Sequence, residues 1–96
     1  MGVTKDLDLK VATALAKALS HPRRIKILQE AEKGRISPVG FSKTEDLPVS
    51  KASYHFGELK KAGCLKIVDT VAAAAVEHVY AGTAQGKKLL SLVEAF

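Results

Sequence analysis

The sequence predicts a mainly α-helical domain with one small β-hairpin, an α+β fold with elements in the order α-α-α-α-β-β-α. Three observations carry that expectation. Four stretches ahead of Gly63 place apolar residues at helical spacing, each bounded by proline, glycine or serine. Two short runs after Cys64 are rich in β-branched residues. The C-terminal stretch returns to an apolar helical pattern.

The first helix is expected over residues 7–19, where Val11, Ala14, Leu15, Ala18 and Leu19 form one apolar face. Ser20-His21-Pro22 ends it, because proline disfavours helix in the residue before it and suits a first turn. A second helix over residues 22–32 presents Ile25, Leu28 and Ala31, with Ile27 adjoining, and Gly34 stops it. Ser37-Pro38 repeats the start signal, a hydroxyl cap followed by proline. The short helix that follows, to about Thr44, offers Val39 and Phe41 to the core.

Glu45-Asp46-Leu47-Pro48 reads as a tight turn. The fourth helix, Pro48–Ala62, sets Val49, Ala52, Phe56 and Leu59 along one face, and Gly63 stands just past its end, where a left-handed residue is wanted. Leu65–Thr70 and Val76–Tyr80 read as strands. The alanine tract Ala72–Ala75 between them is taken as a loop or hairpin tip, against alanine's helical propensity. Gly82-Thr83 opens a last helix to about Glu94, with Leu89, Leu90, Leu92, Val93 and Phe96 as its apolar set.

Ninety-six residues allow one domain, so residues 1–96 are read as a single unit. No apolar run approaches the roughly 18 residues of a membrane span, and the N-terminus lacks a signal peptide's apolar stretch, so a cytoplasmic protein is expected. The single cysteine, Cys64, excludes an internal disulfide; it reads as a small buried hydrophobe rather than a redox or metal group. The net charge of +5 is unevenly spread: residues 21–66 carry +5, against +1 before them and −1 after. Such a basic middle suits a polyanion-binding face, although a solvated lysine-rich surface fits the charge alone equally well.

Two helices joined by a tight turn, followed by a β-hairpin, constitute a helix-turn-helix with a wing. The second helix of such a pair needs an apolar face to hold it and a polar face to meet phosphates and base edges. At about 100° per residue, Ser50, Ser53, Tyr54, Gly57 and Lys61 lie opposite Phe56 and Leu59, with Lys51 and Lys60 flanking. Lys60 and Lys61 suit a solvated helix end favoured by the helix dipole, but are read in preference as phosphate contacts. Gly57 costs about 1 kcal/mol against alanine in a helix interior. Close approach to DNA or close packing against another helix would account for it.

The string Ala18–Leu28 with Leu15 ahead of it, containing Ser20-His21-Pro22-Arg23-Arg24, resembles the opening of ArsR-type winged helix-turn-helix transcriptional regulators. Ser53–Thr70 is similar to that family's recognition-helix end and first wing strand, and Val76–Thr83 to its returning strand. The resemblance covers about residues 12–83 and implies a homodimeric regulator of transcription, a repressor, that binds double-stranded DNA. It implies DNA contacts from Ser50, Lys51, Ser53, Tyr54 and His55, and phosphate contacts from Ser37 and Lys43. Dimerisation through the terminal helices, residues 7–19 and 83–95, follows from the resemblance and from apolar residues there beyond one core's needs.

The chain departs from that family at three places. Glu45 stands where an apolar residue is usual, suggesting a more open turn or a shorter preceding helix. Gly57 replaces a longer polar side chain, and Ala72–Ala75 lacks basic residues to reach the duplex, so the recognition helix is expected to dominate affinity. For His55, beside the core face, a partly buried position weighs equally with phosphate contact. The paired cysteines of metal-sensing relatives are missing from Val39–Lys43, so no metal and no cofactor is expected; an effector ligand is left unassigned. No phosphate loop, His-Glu-x-x-His string or nucleophile elbow supports an enzyme. The alternative reading is a winged-helix module that binds protein without specific DNA binding.

Overall fold

The computed structural model describes residues 16–17, 20–72 and 76–94. Its elements are α1 (Pro22–Lys33), α2 (Pro38–Glu45), α3 (Val49–Lys61), β1 (Leu65–Ala72), β2 (Val76–Gly82) and α4 (Ala84–Glu94). The chain is therefore mostly helical with one antiparallel hairpin, as the sequence predicts. The expected first helix over residues 7–19 falls outside the described residues, except for residues 16–17, which are helical. Residues 73–75 of the alanine tract also fall outside them. Among the described residues, no helix is long and apolar enough to cross a membrane.

Local chemistry sets the boundaries. Pro22 and Pro38 occupy first-turn positions of α1 and α2, where a missing N–H costs nothing. Ser37 caps α2, its Oγ accepting from the Gly40 N–H at 3.1 Å. Asp46 then turns left-handed (φ 53, ψ 55), and the amides of Asp46 and Leu47 both return to the Ser42 carbonyl. The α2–α3 turn is consequently tight, and α2 runs through Glu45 instead of stopping short. Glu45 is held by an ion pair with Lys26 of α1 at 2.8 Å, which accounts for a charge where the resemblance leads one to expect an apolar residue.

The core is organised around Phe56 of α3, which is fully buried. Its ring meets Phe41 of α2 edge-on at 5.9 Å and Tyr80 of β2 at 5.1 Å. Ile27, Ala52, Leu59, Leu90 and Cys64 are also fully buried, with Leu28, Ala31, Leu47 and Leu65 around them. A two-way backbone bridge between Ile36 and Tyr80 (2.8 and 3.0 Å) ties the α1–α2 loop to the hairpin. The hairpin has a bulge between Ile67 and Asp69, and both strands run two residues beyond their expected ends.

Two assignments of side chains differ from expectation. Val49, placed by spacing on the apolar face of α3, is exposed at the first position of the helix, whereas Ala52 in the same turn is buried. Leu92 of α4 is 61% exposed, whereas Leu89 and Leu90 are buried.

The end of α3 and the start of α4 are joined at backbone level. Gly63 (φ +77) takes the left-handed position after α3, while the Gly63 and Cys64 amides close on Lys60 and Leu59 at 2.9 Å each. Thr83 Oγ1 donates to the Gly63 carbonyl at 2.5 Å and accepts from the Gly86 N–H at 3.1 Å. Gln85 donates to the Ala62 carbonyl. Gly86 packs so closely on the Cys64 carbonyl that a Cβ there would collide with backbone. Gly86→Ala should therefore destabilise the fold by about 1–3 kcal/mol, as overpacking does. A thermal melt checks this: the midpoint should fall by roughly 4–8 °C per kcal/mol, and an unchanged midpoint would mean that α4 shifts freely.

Candidate nucleic-acid interface

Because Ala52, Phe56 and Leu59 turn one side of α3 inward, its opposite side faces solvent. Ser50, Lys51, Ser53, Tyr54, Lys60 and Lys61 are all exposed, and Tyr54 is 60% exposed despite its ring. They share one helix with His55, so seven of the nine residues singled out from sequence lie on a single element, and six of those seven are exposed. Lys43 is exposed on α2. Ser37 is half-buried, and its hydroxyl oxygen is engaged in capping α2.

Charge on this face is predominantly positive. Glu58 is the exception, and Lys61 pairs with it at 3.2 Å, one turn apart. That hydrogen bond holds the Glu58 carboxyl below the usual carboxylate range. Nothing lies within 4 Å of a Cβ built on Gly57, so among the described residues no helix packs against it. The glycine instead borders a groove between α3 and the hairpin, lined also by Lys60, Lys61, Ile67, His78 and Tyr80.

His55 differs from the other eight. It is 6% exposed, with its ring beneath the outer face, so its side chain acts from within the fold. Its Nδ1 accepts a hydrogen bond from Arg24 Nε at 2.9 Å. Burial above all, then the neighbouring charges of Arg24, His21, Arg23 and Lys51, pushes the imidazole pKa down.

Arg24 is the residue that sequence reasoning missed. It belongs to α1 and is 3% exposed. Besides His55, it donates through a terminal nitrogen to the Lys17 carbonyl at 2.8 Å, and its guanidinium carbon lies 5.5 Å from the centre of the Tyr54 ring. Tyr54 and His55 rings are 5.8 Å apart, and His21 approaches His55 at 4.8 Å. The signal was in the spacing: Arg24, Ile27, Leu28 and Ala31 fall at i, i+3, i+4 and i+7, and all four are buried. Cys64, by contrast, is buried as expected, and burial pushes its thiol pKa up.

The lowered pKa of His55 has a consequence for stability. Unfolded, the imidazole titrates near its ordinary value of about 6.5 and binds protons more readily than the folded one. The contribution is thus complete above that value and is lost as pH falls through the folded pKa. Thermal melts between about pH 7.5 and 5 should show a falling midpoint that His55→Gln flattens; equal slopes in both proteins would contradict the assignment.

No protein-family model and no curated relative matches the chain. Solved structures do. The crystal structure of a possible transcriptional regulatory protein from Mycobacterium bovis (fragment 1–100) superposes with a TM-score of 0.78 at 21% identity, covering 95% of each chain. A solution structure of a homodimeric winged helix-turn-helix DNA-binding domain from the same organism, a possible ArsR-family transcriptional regulator, gives 0.74 at 20% identity, covering 91% of this chain and 78% of that one. HlyU from Vibrio cholerae gives 0.64 at 24% identity, covering 88% and 89%. With the helix pair α2–α3 and the hairpin β1–β2 that follows it, these superpositions establish the fold as a winged helix-turn-helix.

Proposed function

We propose that the protein is an ArsR-like regulator of transcription that binds double-stranded DNA as a homodimer in the cytoplasm, acting as a repressor, with α3 as its recognition helix. The observation that carries this reading is the two-sidedness of α3: an aromatic-anchored inner face and an outer face of hydroxyls, lysines and an exposed tyrosine. Ser50, Lys51, Ser53 and Tyr54 would meet base edges and backbone, while Lys43, Lys60 and Lys61 would meet phosphates. Ser37 would add its hydroxyl proton from the α2 cap. His55 supports the face from beneath. The open space at Gly57 favours close approach of the duplex over helix packing.

Similarity to a homodimeric DNA-binding domain supports the dimer, and exposed Leu92 on α4 offers apolar surface for it. A wholly protein-binding module would have no use for the cationic outer face of α3. Sedimentation in dilute solution should give twice the chain mass, and a strict monomer would refute the dimer.

If each protomer neutralises about four phosphates, log K should fall against log salt with a slope near −7. Binding that does not change between low and moderate salt would rule out phosphate contacts. Lys51→Ala should make that slope shallower by about two per dimer. Tyr54→Ala should weaken binding to a preferred duplex by roughly tenfold with the fold intact. Gly57→Ala separates two effects: stability should rise by about 1 kcal/mol while DNA affinity falls. An unchanged affinity would show that the duplex does not approach this turn.

A further inference from the structure

A guanidinium buried this deeply ordinarily has a carboxylate beside it, because desolvating a charge is costly without one. Among the described residues, no ion pair involves Arg24. Its partners are neutral: the His55 imidazole, the Lys17 carbonyl and the face of the Tyr54 ring. They come from two parts of the chain. Lys17 precedes α1, His55 turns inward from α3, and Tyr54, the next residue back, turns outward. Planar, rigid and multiply donating, the arginine head can hold all three at once, as a lysine could not.

We propose that Arg24 is a positioning residue of the DNA interface, fixing the Tyr54 ring on the outer face of α3 through its ring contact and its hydrogen bond to His55. It does this without touching the duplex. An exposed aromatic side chain loses rotamer freedom when it is ordered on binding, and a ring already seated on Arg24 has less to lose. The cation also lies beneath a face that would meet a polyanion, so a duplex would add negative charge where, among the described residues, Arg24 has only the more distant influence of Glu58 and no ion pair. The bond to the Lys17 carbonyl links the same arginine to the segment before α1, so that segment's position bears on Tyr54 as well. This inference rests on the DNA-binding reading above.

The test uses the full chain, a duplex selected by the wild-type protein from a random library, and a scrambled duplex of equal composition. In Arg24→Lys and Arg24→Met, preference for the selected duplex should fall at least tenfold, whereas affinity for the scrambled duplex changes less than threefold. Wild-type preference in folded variants would overturn the proposal. So would a salt slope shallower by about two per dimer in Arg24→Met, which would make the arginine a direct phosphate ligand.

A second measurement leaves Arg24 in place. Protonated His55 cannot accept from Arg24 Nε, so acidification should reversibly lower the preference of the wild-type protein. His55→Gln keeps an amide oxygen as acceptor and does not titrate, so its preference should hold constant. Among the described residues, the other charged or titratable groups around His55 are Arg24 and Arg23 of α1, His21 at its N-cap, and Lys51 and Tyr54 of α3, with Glu58 of α3 acting on Arg24. All are common to both proteins and drop out of the comparison. Equal pH responses would overturn the proposal. Failure of the wild-type protein to select any duplex would instead refute the DNA-binding reading, and the proposal with it.

Discussion

The insertion of Phe56 between Phe41 and Tyr80 is the contact on which the rest of the molecule depends. It joins the consecutive helices α2 and α3 to the returning strand of the hairpin, which is distant from both in sequence. Aromatic pairs at these separations contribute about 0.5–1.5 kcal/mol each beyond the area they bury. Their geometric effect is larger than that figure suggests. With Phe56 pinned on two sides, α3 cannot rotate about its axis, and the residues opposite are committed to solvent. The outward display of Ser50, Ser53, Tyr54 and Lys61 follows from what the helix buries.

A helix held only by apolar contacts would have its inner surface fixed and its outer side chains free. Here a polar contact is added at the margin of the core. Arg24 reaches from α1 to His55, and the two neighbouring positions on α3 are divided between the interior and the surface. The core and the exposed face are thereby coupled through one side chain. That coupling works only while the imidazole is neutral, which burial and the surrounding cations both favour.

Helix and strand identity was legible in the sequence because proline, serine and glycine punctuate it so clearly. Pro22, Ser37-Pro38 and Gly63 act in the structure as their chemistry predicts. The outer face of α3 was equally plain, since hydroxyls and lysines spaced opposite Phe56 and Leu59 are directed to solvent. Side-chain burial at the margins was not. An arginine ordinarily lies at the surface, so the apolar pattern marks Ile25, Leu28 and Ala31 as the inner face of α1, whereas Arg24 is buried there with Ile27, Leu28 and Ala31. In α3, Ala52, His55, Phe56 and Leu59 are the buried set, and His55 was uncertain because imidazole suits both environments. The Ile36–Tyr80 bridge and the seat of Gly86 against Cys64 had no local signal, because they are meetings of backbone from far-apart segments.

The joint between α3 and α4 bears on assembly. The side chains of Thr83 and Gln85 donate to the carbonyls of Gly63 and Ala62 just past α3, and Gly86 seats on the Cys64 carbonyl, so the start of α4 is fastened to the end of α3. In a two-fold dimer built through α4, no flexible linker would separate the symmetry axis from either reading head. The span between the two heads would then be set by a short rigid strut, and the spacing of half-sites on the duplex, about 34 Å per helical turn, would be measured by that strut. Altering the joint would change the ruler without touching the outer face of α3.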